Sequence, residues 1–462
     1  MDHFSCTLPL IEGEIINNDF NRSTTKLATY PDIYIRREGL IGSTHSIPFG
    51  SRYNLDRAIL ITPQNEPLPK RLARIFFEEG PTEALREAEL QTQDQPINYL
   101  FRGLNFALCK LKHLNQIFWP YRNNENVNNL SEFVQTRDWQ NSPIRCIRWH
   151  PNYFKLAVAS VDDNIKIYSS DTVTITTLKH GYQKCITSLA WRPLCAGELA
   201  VGCNNGIIIW KLDTPGRHTS QYLHLTSINH HPISSLEWNR NGSLLVSVSL
   251  SDPNAIIWDV DTNRNIPLKR IGMPCAIAKW SPDNQRLFTS TAGSVFRVWQ
   301  TSKWTPERWT IPTGAAIQSA VWSPCSNHLL FITTTDTILY SLCFLEEQIY
   351  RVAAAAKQSF PIADFKPVQF GQRTIGGLPK SIVWDQTGRF VAVMFKTTSS
   401  ISVFSTSINR NVLSISPNFN ISGDDADEFP SFICFKEKYE KHDDVVLTIG
   451  WSTGRIQYFP IR

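Results

Sequence analysis

Pairs of aromatic residues recur seven times along the last two thirds of this chain of 462 residues. The first aromatic of each pair ends a short β-prone segment, and the second follows 18 to 23 residues later. The first aromatics are Trp149, Trp191, Trp238, Trp280, Trp322, Trp384 and Phe435. The second aromatics are Tyr168, Trp210, Trp258, Trp299, Tyr340, Phe404 and Tyr458. A period this regular indicates a repeat architecture, which constrains the fold more than any other feature of the chain.

The segments between the aromatics have strand chemistry. A small or aliphatic residue stands two positions before each first aromatic, and that spacing places both side chains on one face of a strand. The next segment, for example KLAVAS at 155–160, is almost continuously apolar, as in strands covered on both faces. Turn residues such as Asp162-Asp163-Asn164 follow, and a more polar fourth strand such as Thr172–Leu178 ends the repeat. We therefore predict an all-β fold, a seven-bladed WD-repeat β-propeller, in which Trp258-Asp259 keeps the signature dipeptide.

The repeats also predict the domain boundaries. The propeller is expected over residues 131–462, with blades beginning near residues 143, 184, 231, 273, 315, 377 and 429. The seventh repeat contains only three strands before the sequence ends at Arg462. Ser131–Trp139 has strand character and precedes the first repeat, so we predict that it supplies the missing strand and closes the ring.

Residues 1–130 are predicted to form a partly helical N-terminal extension. Leu68–Glu79 and Ile97–Phe118 carry apolar residues at helical spacing, and Asp32–Ile35 is an isolated strand-like piece. The longer helix could pack on the propeller, dock into a partner or lie on a membrane surface. Phe101 and Leu108 on its apolar face are candidate partner-binding residues.

Two departures from the repeat period are candidate recognition surfaces. Glu346–Gly376 lengthens the interval between the fifth and sixth repeats, and Phe360 and Phe365 within it are candidate partner-binding residues. Ser416–Glu428 is a second irregular stretch and is rich in acidic residues. Insertions on a repeat scaffold often bind partners, although a solvated loop explains either stretch equally well.

The sequence carries no sign of catalysis, of a metal site or of a cofactor. The motifs GxSxG, GxxxxGK and HExxH are absent, and none of the ten cysteines forms a CxxC pair. His180 is expected to bond to a hydroxyl and a turn aspartate such as Asp163 within its blade, and His230-His231 invites the same interpretation.

Charge and hydropathy exclude two further classes. The formal charge is +5 without a dense basic run, which gives no support to nucleic-acid binding. No apolar run reaches the length of a membrane-spanning helix, and we expect no direct membrane span.

Several stretches resemble the aladin family of WD-repeat nucleoporins. They include Arg148–Tyr168, Ser188–Leu194, Ser294–Trp309, Trp322–Phe331 and Ile449–Ile456. The resemblance covers all seven repeats and, more weakly, the region upstream of them. The sequences SVFRVW and GWSTGRI within these stretches are not part of the general WD-repeat consensus, which makes the match specific.

The resemblance implies a noncatalytic scaffold nucleoporin of the nuclear pore complex. Such a protein is anchored at the nuclear envelope through an integral membrane nucleoporin of the pore ring, supports nucleocytoplasmic transport and is linked to the spindle in mitosis. Only Phe49-Gly50 and Phe370-Gly371 are Phe-Gly dipeptides, so an architectural role fits better than a barrier role. The alternatives are a WD-repeat adaptor of a coat or ubiquitin ligase and, from another class, a propeller hydrolase with its site in the central channel.

Overall fold

The computed structural model describes residues 14–16, 30–35, 127–170, 172–212, 221–227, 229–344, 359–370, 373–409, 412–424, 427–436 and 445–461. The chain divides into one compact unit of Met1–Leu40 with Asn124–Arg462 and another of Ile41–Asn123. The first unit therefore contains residues from both sides of the predicted boundary at residue 130. The predicted helices Leu68–Glu79 and Ile97–Phe118, with Phe101 and Leu108, lie outside the described residues.

The first three blades are four-stranded antiparallel sheets whose strands follow one another in sequence. Before them come strand β1 (Glu14–Ile16) and helix α1 (Val127–Phe133). Blade 1 contains β2 (Ile144–Trp149), β3 (Lys155–Ser160), β4 (Ile165–Ser169) and β5 (Thr172–Leu178). Blade 2 contains β6 (Ser188–Trp191), β7 (Glu198–Cys203), β8 (Gly206–Lys211) and β9 (Gln221–Leu225). Blade 3 contains β10 (Ile233–Trp238), β11 (Leu245–Ser249), β12 (Ala255–Asp259) and β13 (Arg264–Leu268).

Blades 4 and 5 repeat this arrangement, and a short hairpin follows them. Blade 4 contains β14 (Cys275–Trp280), β15 (Arg286–Thr291), β16 (Val295–Gln300) and β17 (Thr305–Thr310). Blade 5 contains β18 (Ile317–Trp322), β19 (His328–Thr333), β20 (Ile338–Cys343) and β21 (Ser359–Asp364). The hairpin consists of β22 (Val368–Phe370) and β23 (Arg373–Ile375).

Blades 6 and 7 depart from the four-strand rule. Blade 6 contains β24 (Pro379–Trp384), β25 (Phe390–Phe395), β26 (Ser400–Asn409) and β27 (Val412–Ser422), and β1 adds a fifth strand parallel to β27. Blade 7 contains β28 (Pro430–Phe435), β29 (Val445–Trp451) and β30 (Ile456–Ile461). The fold is the predicted seven-bladed β-propeller.

The first strands of the blades form the inner ring. Each contacts the first strand of the next blade, and β28 of blade 7 contacts β2 of blade 1, so the ring is closed. At that closing seam the Trp149 indole donates a hydrogen bond of 2.8 Å to Thr448 Oγ1. The apolar strands are buried in clusters that join neighbouring blades, as the continuous apolar pattern of segments such as KLAVAS predicts.

The predicted closing strand is wrong. Residues 127–133, which overlap Ser131–Trp139, form helix α1, and blade 7 has only three strands within its own sheet. Leu130, Phe133 and Val134 are buried, and their i, i+3, i+4 spacing suits one face of a helix rather than a strand.

Residues 30–35 lie instead beside β30. Tyr34 forms an antiparallel bridge with Arg455, the Ile35 amide donates to the Gly454 carbonyl at 2.8 Å, and the Ile456 amide donates to the Ile33 carbonyl at 3.0 Å. Ile33 and Ile35 are buried, while Tyr34 between them is exposed, which is the alternation of a strand. We call residues 30–35 the closing segment because they cover the outer edge of the last blade.

Candidate functional site

All fourteen repeat aromatics lie in strands. The first of each pair ends the inner strand of its blade, and the second lies in the third strand. Ten of the fourteen are at most 8% exposed, and Tyr168, Tyr340, Phe435 and Tyr458 are intermediate. These side chains are part of the packing between and within blades, and a rigid ring follows from them.

Blade 3 contains a complete polar network around its second aromatic. His230 Nδ1 lies 2.8 Å from Asp252 Oδ2, and His230 Nε2 lies 2.8 Å from Ser247 Oγ. The Trp258 indole donates to the same Ser247 hydroxyl at 2.7 Å. This is the hydroxyl and turn-aspartate arrangement that the sequence predicts for His230.

The same prediction for His180 is wrong. Its ring packs on Tyr222, with ring centroids 4.1 Å apart, and is only partly buried. Gln183 takes the interior place, since its amide donates to the Asp163 carbonyl and its Oε1 accepts from the Trp210 indole at 2.8 Å. Gln183 lies 27 residues before Trp210, close to the 28 residues between His230 and Trp258, whereas His180 lies 30 residues before it.

One end of the central channel is covered by residues 127–139, which we call the entrance segment. The inner strands of six blades begin with a β-bulge at their second residue, and bulges re-aim side chains and backbone groups. The bulged residues are Arg145, Ser234, Ala276, Gln318, Lys380 and Ser431. Four of them contact the entrance segment directly, namely Arg145, Gln318, Lys380 and Ser431.

Blades 5 and 6 hold the C-terminal turn of α1. Lys380 Nζ donates to the Ser131 and Glu132 carbonyls at 2.9 and 2.8 Å, and Gln318 Nε2 donates to the Glu132 carbonyl at 2.5 Å. A hydrogen-bond donor suits this position because the last carbonyls of a helix have no partners within the helix. Burial, reinforced by the charge of Lys396 and opposed by Glu132, lowers the pKa of Lys380 to about 7.

Blades 7, 1 and 2 hold the rest of the entrance segment. The Arg137 amide donates to the Ser431 carbonyl at 2.8 Å, and the Thr136 hydroxyl donates to the Arg145 carbonyl. Trp139 is 1% exposed, donates to the Ile186 carbonyl at 2.9 Å and lies under the Arg145 guanidinium at 4.1 Å. The entrance segment also shares a buried apolar cluster with residues of blades 3 and 4.

A small cavity of about 30 Å³ lies in the channel beneath Phe133 and Gln135. Arg148 and Lys279 line it, and an Arg148 Nη donates to Gln135 Oε1 at 3.0 Å. Burial lowers the pKa of Lys279, and Glu237, 3.7 Å away, opposes that effect. A water molecule needs roughly 10–15 Å³ of such space, so the cavity has room for about two water molecules.

The thiols near the channel are not activated nucleophiles. Burial raises the pKa of the Cys146 thiol, and burial raises the pKa of Cys434 to about 12, despite the nearby Arg148 charge. Catalytic cysteines need a lowered pKa because the thiolate is the reactive form. These thiols therefore give no support to the alternative of a hydrolase with its active site in the central channel.

The structure separates the two candidates in the long insertion. Phe360 in β21 is 59% exposed, as a partner-binding residue must be. Phe365 is fully buried between Phe395 and Phe404, with ring centroids 5.7 and 5.5 Å away, so it is a core residue and its proposed partner contact is wrong.

Two acidic residues of the stretch before blade 7 bind Arg455 within the protein. Glu428 is buried and accepts hydrogen bonds from Thr453 and from an Arg455 Nη, both at 2.7 Å. A second Arg455 nitrogen lies 2.7 Å from Asp424. These contacts fix the turn that the closing segment touches at Arg455.

The described residues also bear on metal binding and on membrane insertion. They contain no group of three or more His, Cys, Asp or Glu side chains arranged to hold a metal ion. Within the described part of the chain, no helix combines the length and apolar character needed to cross a bilayer.

The sequence did not single out the residues that hold the entrance segment. Lys380, Gln318 and Arg145 share a signal that repeat alignment could have found, because each is the second residue of an inner strand. A charged or amide side chain at that position is unusual in a strand whose other residues are buried.

Comparison with known proteins agrees with the geometry. The profile of a family described as the Aladin seven-bladed propeller matches residues 125–462. The Arabidopsis thaliana protein named Aladin is 25% identical over 449 residues, covering 87% of this chain and 94% of that protein. The Drosophila melanogaster Retinoblastoma-binding protein 5 homolog is 40% identical over 87 residues, covering 19% of this chain and 17% of that protein.

Solved structures show likeness of fold alone. The Cps50 (Swd1) β-propeller domain of Myceliophteria thermophila is 16% identical, with a TM-score of 0.53, and the match covers 69% of this chain and 97% of that domain. A chain of the mitotic checkpoint complex is 17% identical, with a TM-score of 0.51, over 73% of this chain and 94% of that chain.

Proposed function

Because the chain belongs to the aladin seven-bladed propeller family, we propose that it is a scaffold nucleoporin held at the nuclear envelope by an integral membrane nucleoporin. In this role it supports nucleocytoplasmic transport from the nuclear pore complex, and in mitosis it associates with the spindle. At the coarser level the family already makes the chain a WD-repeat scaffold of non-enzymatic type.

The observation that carries the proposal is the extent of the family match. It begins at residue 125, just before α1, and runs through the last blade, so it includes the entrance segment as well as the seven blades. The similarity to the Arabidopsis thaliana Aladin extends over most of both chains, which favours a shared role for the whole protein.

The physical properties of the ring suit a scaffold. Buried aromatic residues pack within and between the blades. The entrance segment forms hydrogen bonds with five of the seven blades. A rigid surface loses little conformational entropy when a partner docks, so its contacts translate efficiently into affinity. The channel cavity that Phe133 and Gln135 line is small, so we expect partners to bind the outer faces and rim.

The direct test is localisation and co-purification of the full chain carrying a C-terminal fluorescent tag. We expect a nuclear-rim signal and a stable complex with an integral membrane nucleoporin. A diffuse signal together with recovery of coat or ubiquitin-ligase subunits would contradict the proposal and favour the adaptor alternative.

Two variants locate the contact. Replacement of residues 41–123 by a flexible linker removes the second compact unit and keeps the closing segment. Phe360→Ala removes an exposed ring from β21, and Val412→Ala, 68% exposed on β27, is its matched control.

We expect either the replacement of residues 41–123 or Phe360→Ala to abolish the rim signal without changing the unfolding temperature. Val412→Ala should have no effect. An undiminished rim signal in all three variants would exclude both candidate contact regions.

A further inference from the structure

Three arginines gather at the outer cleft between blades 3 and 4. Arg297 in β16 and Arg308 in β17 are direct cross-strand partners, and Arg270 lies in the loop between β13 and β14. Burial, followed by the charges of Arg270 and Arg308, lowers the pKa of Arg297. Because cross-strand partners project from the same face of a sheet, the Arg297 and Arg308 side chains lie beside each other on blade 4.

This arrangement departs from the other blades. Like charges directly opposite each other on neighbouring strands destabilise a sheet. The residue that corresponds to Arg297, two positions before the second aromatic, is Lys166, Ile208, Ile256, Ile338, Ser402 or Ile456 in the other repeats. Where the structure gives its cross-strand partner, that partner is Thr177, His224, Pro267, Asp364 or Asn420. Blade 4 alone among these described pairs places two arginines opposite each other.

None of the three arginines forms an ion pair with a carboxylate of the described residues. The arginine ion pairs of the described residues belong to Arg192, Arg286 and Arg455. Arg270 donates a bond of 2.5 Å to the Met273 carbonyl and contacts the buried Cys275 thiol, while its buried Nε has no oxygen or nitrogen acceptor among the described residues. A buried donor without an acceptor costs free energy, which an incoming anion would recover.

Three exposed apolar side chains lie within four residues of Arg270 in the sequence. Ile271 is 96% exposed, Ile266 is 61% exposed and Met273 is 36% exposed. Ile266 lies two residues before Leu268, which packs in the cluster between blades 3 and 4, so Ile266 is on the strand face that looks toward blade 4. Met273 rests against Gly293 of blade 4, where a Cβ would lie 2.4 Å from the methionine sulfur.

We propose that this cleft, lined by Arg270, Arg297, Arg308, Ile266, Ile271 and Met273, binds an acidic protein segment in which carboxylates alternate with apolar residues. Arginine pairs with carboxylates in a two-pronged geometry, and the isoleucines and methionine give the apolar residues a surface to cover. A purely anionic ligand would pair with the arginines but would leave the apolar side chains uncovered, so this surface favours a segment that carries both kinds of residue. The proposal stands independently of the nuclear-pore assignment, because it rests on blades 3 and 4 alone.

The test uses the full chain and a fluorescein-labelled peptide of alternating Glu and Leu. We expect binding that weakens as salt increases, since exposed charge pairs are screened. The double variant Arg297→Gln with Arg308→Gln should bind about five- to tenfold more weakly. The control, Arg240→Gln with Arg389→Gln, removes the same charge from exposed residues in blades 3 and 6 and should bind as the wild type does.

Two further measurements keep the result decisive. The unfolding temperature of Arg297→Gln with Arg308→Gln should be unchanged or higher, because a repulsive pair is removed. A peptide of alternating Lys and Leu should not bind at the cleft. Equal binding by the two double variants would overturn the proposal, and so would arginine-dependent binding of phosphatidylserine vesicles with no binding of the Glu and Leu peptide.

Discussion

Blades 3 and 7 are built from the same repeat unit, but their sheets are completed in different ways. Blade 3 draws its four strands from Ile233–Leu268, and its Trp258 donates to Ser247 within the same sheet. Blade 7 has three strands of its own, and Tyr458, at the position of Trp258, donates to the Pro31 carbonyl at 3.1 Å. One blade is therefore stabilised by local contacts, and the other by a segment from the opposite end of the chain.

The difference shows where a closed repeat ring is most dependent on long-range contacts. The closing segment buries Ile33 and Ile35 beside β30, and Tyr30 packs on Trp149, Phe154 and Tyr458 with ring centroids 5.7, 5.2 and 4.8 Å away. Bringing distant segments together costs loop-closure entropy that neighbouring strands do not incur to the same degree. Changes in blade 3 should therefore act on packing, and changes at blade 7 should act on whether the closing segment stays bound.

The largest effect is expected in blade 3. Trp258→Ala removes a side chain that is 4% exposed and leaves a cavity as well as the Ser247 hydroxyl without its donor. We expect a loss of about 3–5 kcal/mol in the free energy of unfolding, measured by urea denaturation. A loss below about 1 kcal/mol would contradict the picture of blade 3 as a self-contained packed unit.

Gly454→Ala tests the closing segment directly. Gly454 has a positive φ of 92°, and a Cβ there would lie 1.9 Å from the Ile35 carbonyl oxygen. We expect a loss of about 2–3 kcal/mol and increased proteolysis near residues 30–35.

The matched control for this change is Gly181→Ala, because no atom lies within 4 Å of a Cβ at that glycine. The control should leave the free energy of unfolding within about 0.5 kcal/mol of the wild type. Equal losses in the two alanine variants would show that the contact with Ile35 does not support blade 7.

Lys380→Met tests the entrance segment through pH. The folded pKa of Lys380 is about 7, below the ordinary 10.5, so the unfolded chain binds more protons between these values. Stability then rises with pH across that window, and the protonated lysine costs the folded state stability below it. We expect the wild type to gain about 2 kcal/mol relative to Lys380→Met between about pH 6 and pH 9.

Lys366→Met is the control for this titration, since the Lys366 side chain is 71% exposed. Its difference from the wild type should change little over the same range. A flat difference for Lys380→Met as well would mean that this ammonium is not buried against the α1 carbonyls.

The smallest effect is expected for Tyr458→Phe, which removes only the hydroxyl that donates to Pro31. We expect a loss of about 1 kcal/mol. In a Gly454→Ala background the loss should shrink, because the closing segment is already displaced, and a double-mutant cycle measures that coupling. Full additivity of the two changes would separate Tyr458 from the closing segment.

The blades could be predicted because their signals are local. Trp149 or Trp238 ends an inner strand, an apolar strand follows, and turn residues separate the two, all within about 45 residues. The network of His230, Asp252 and Ser247 could be expected for the same reason. The profile of the family and the structure agree with that prediction of seven blades.

The closure could not be predicted with the same certainty, because a strand edge is satisfied by backbone groups rather than by particular side chains. Its proximity to the first blade favours Ser131–Trp139 as the closing strand, although the spacing of Leu130, Phe133 and Val134 is helical. The alternation in Asp32–Ile35 marked a strand, yet nothing in the sequence says which distant edge it pairs with. The prediction that Phe365 binds a partner is wrong for a related reason. An aromatic residue in an insertion can fill the core as readily as it can bind a partner, and Phe365 is buried.

The closing segment has a consequence for how the protein is made. Residues 30–35 leave the ribosome long before Gly454 and Ile456, whose backbone they bond to and which lie more than 400 residues further along the chain. At typical translation speeds of about 5–20 residues per second, the N-terminal strand waits on the order of 20–80 seconds for its partner. During that interval Ile33 and Ile35 are available to chaperones, and the ring can be completed only after blade 7 has been synthesised.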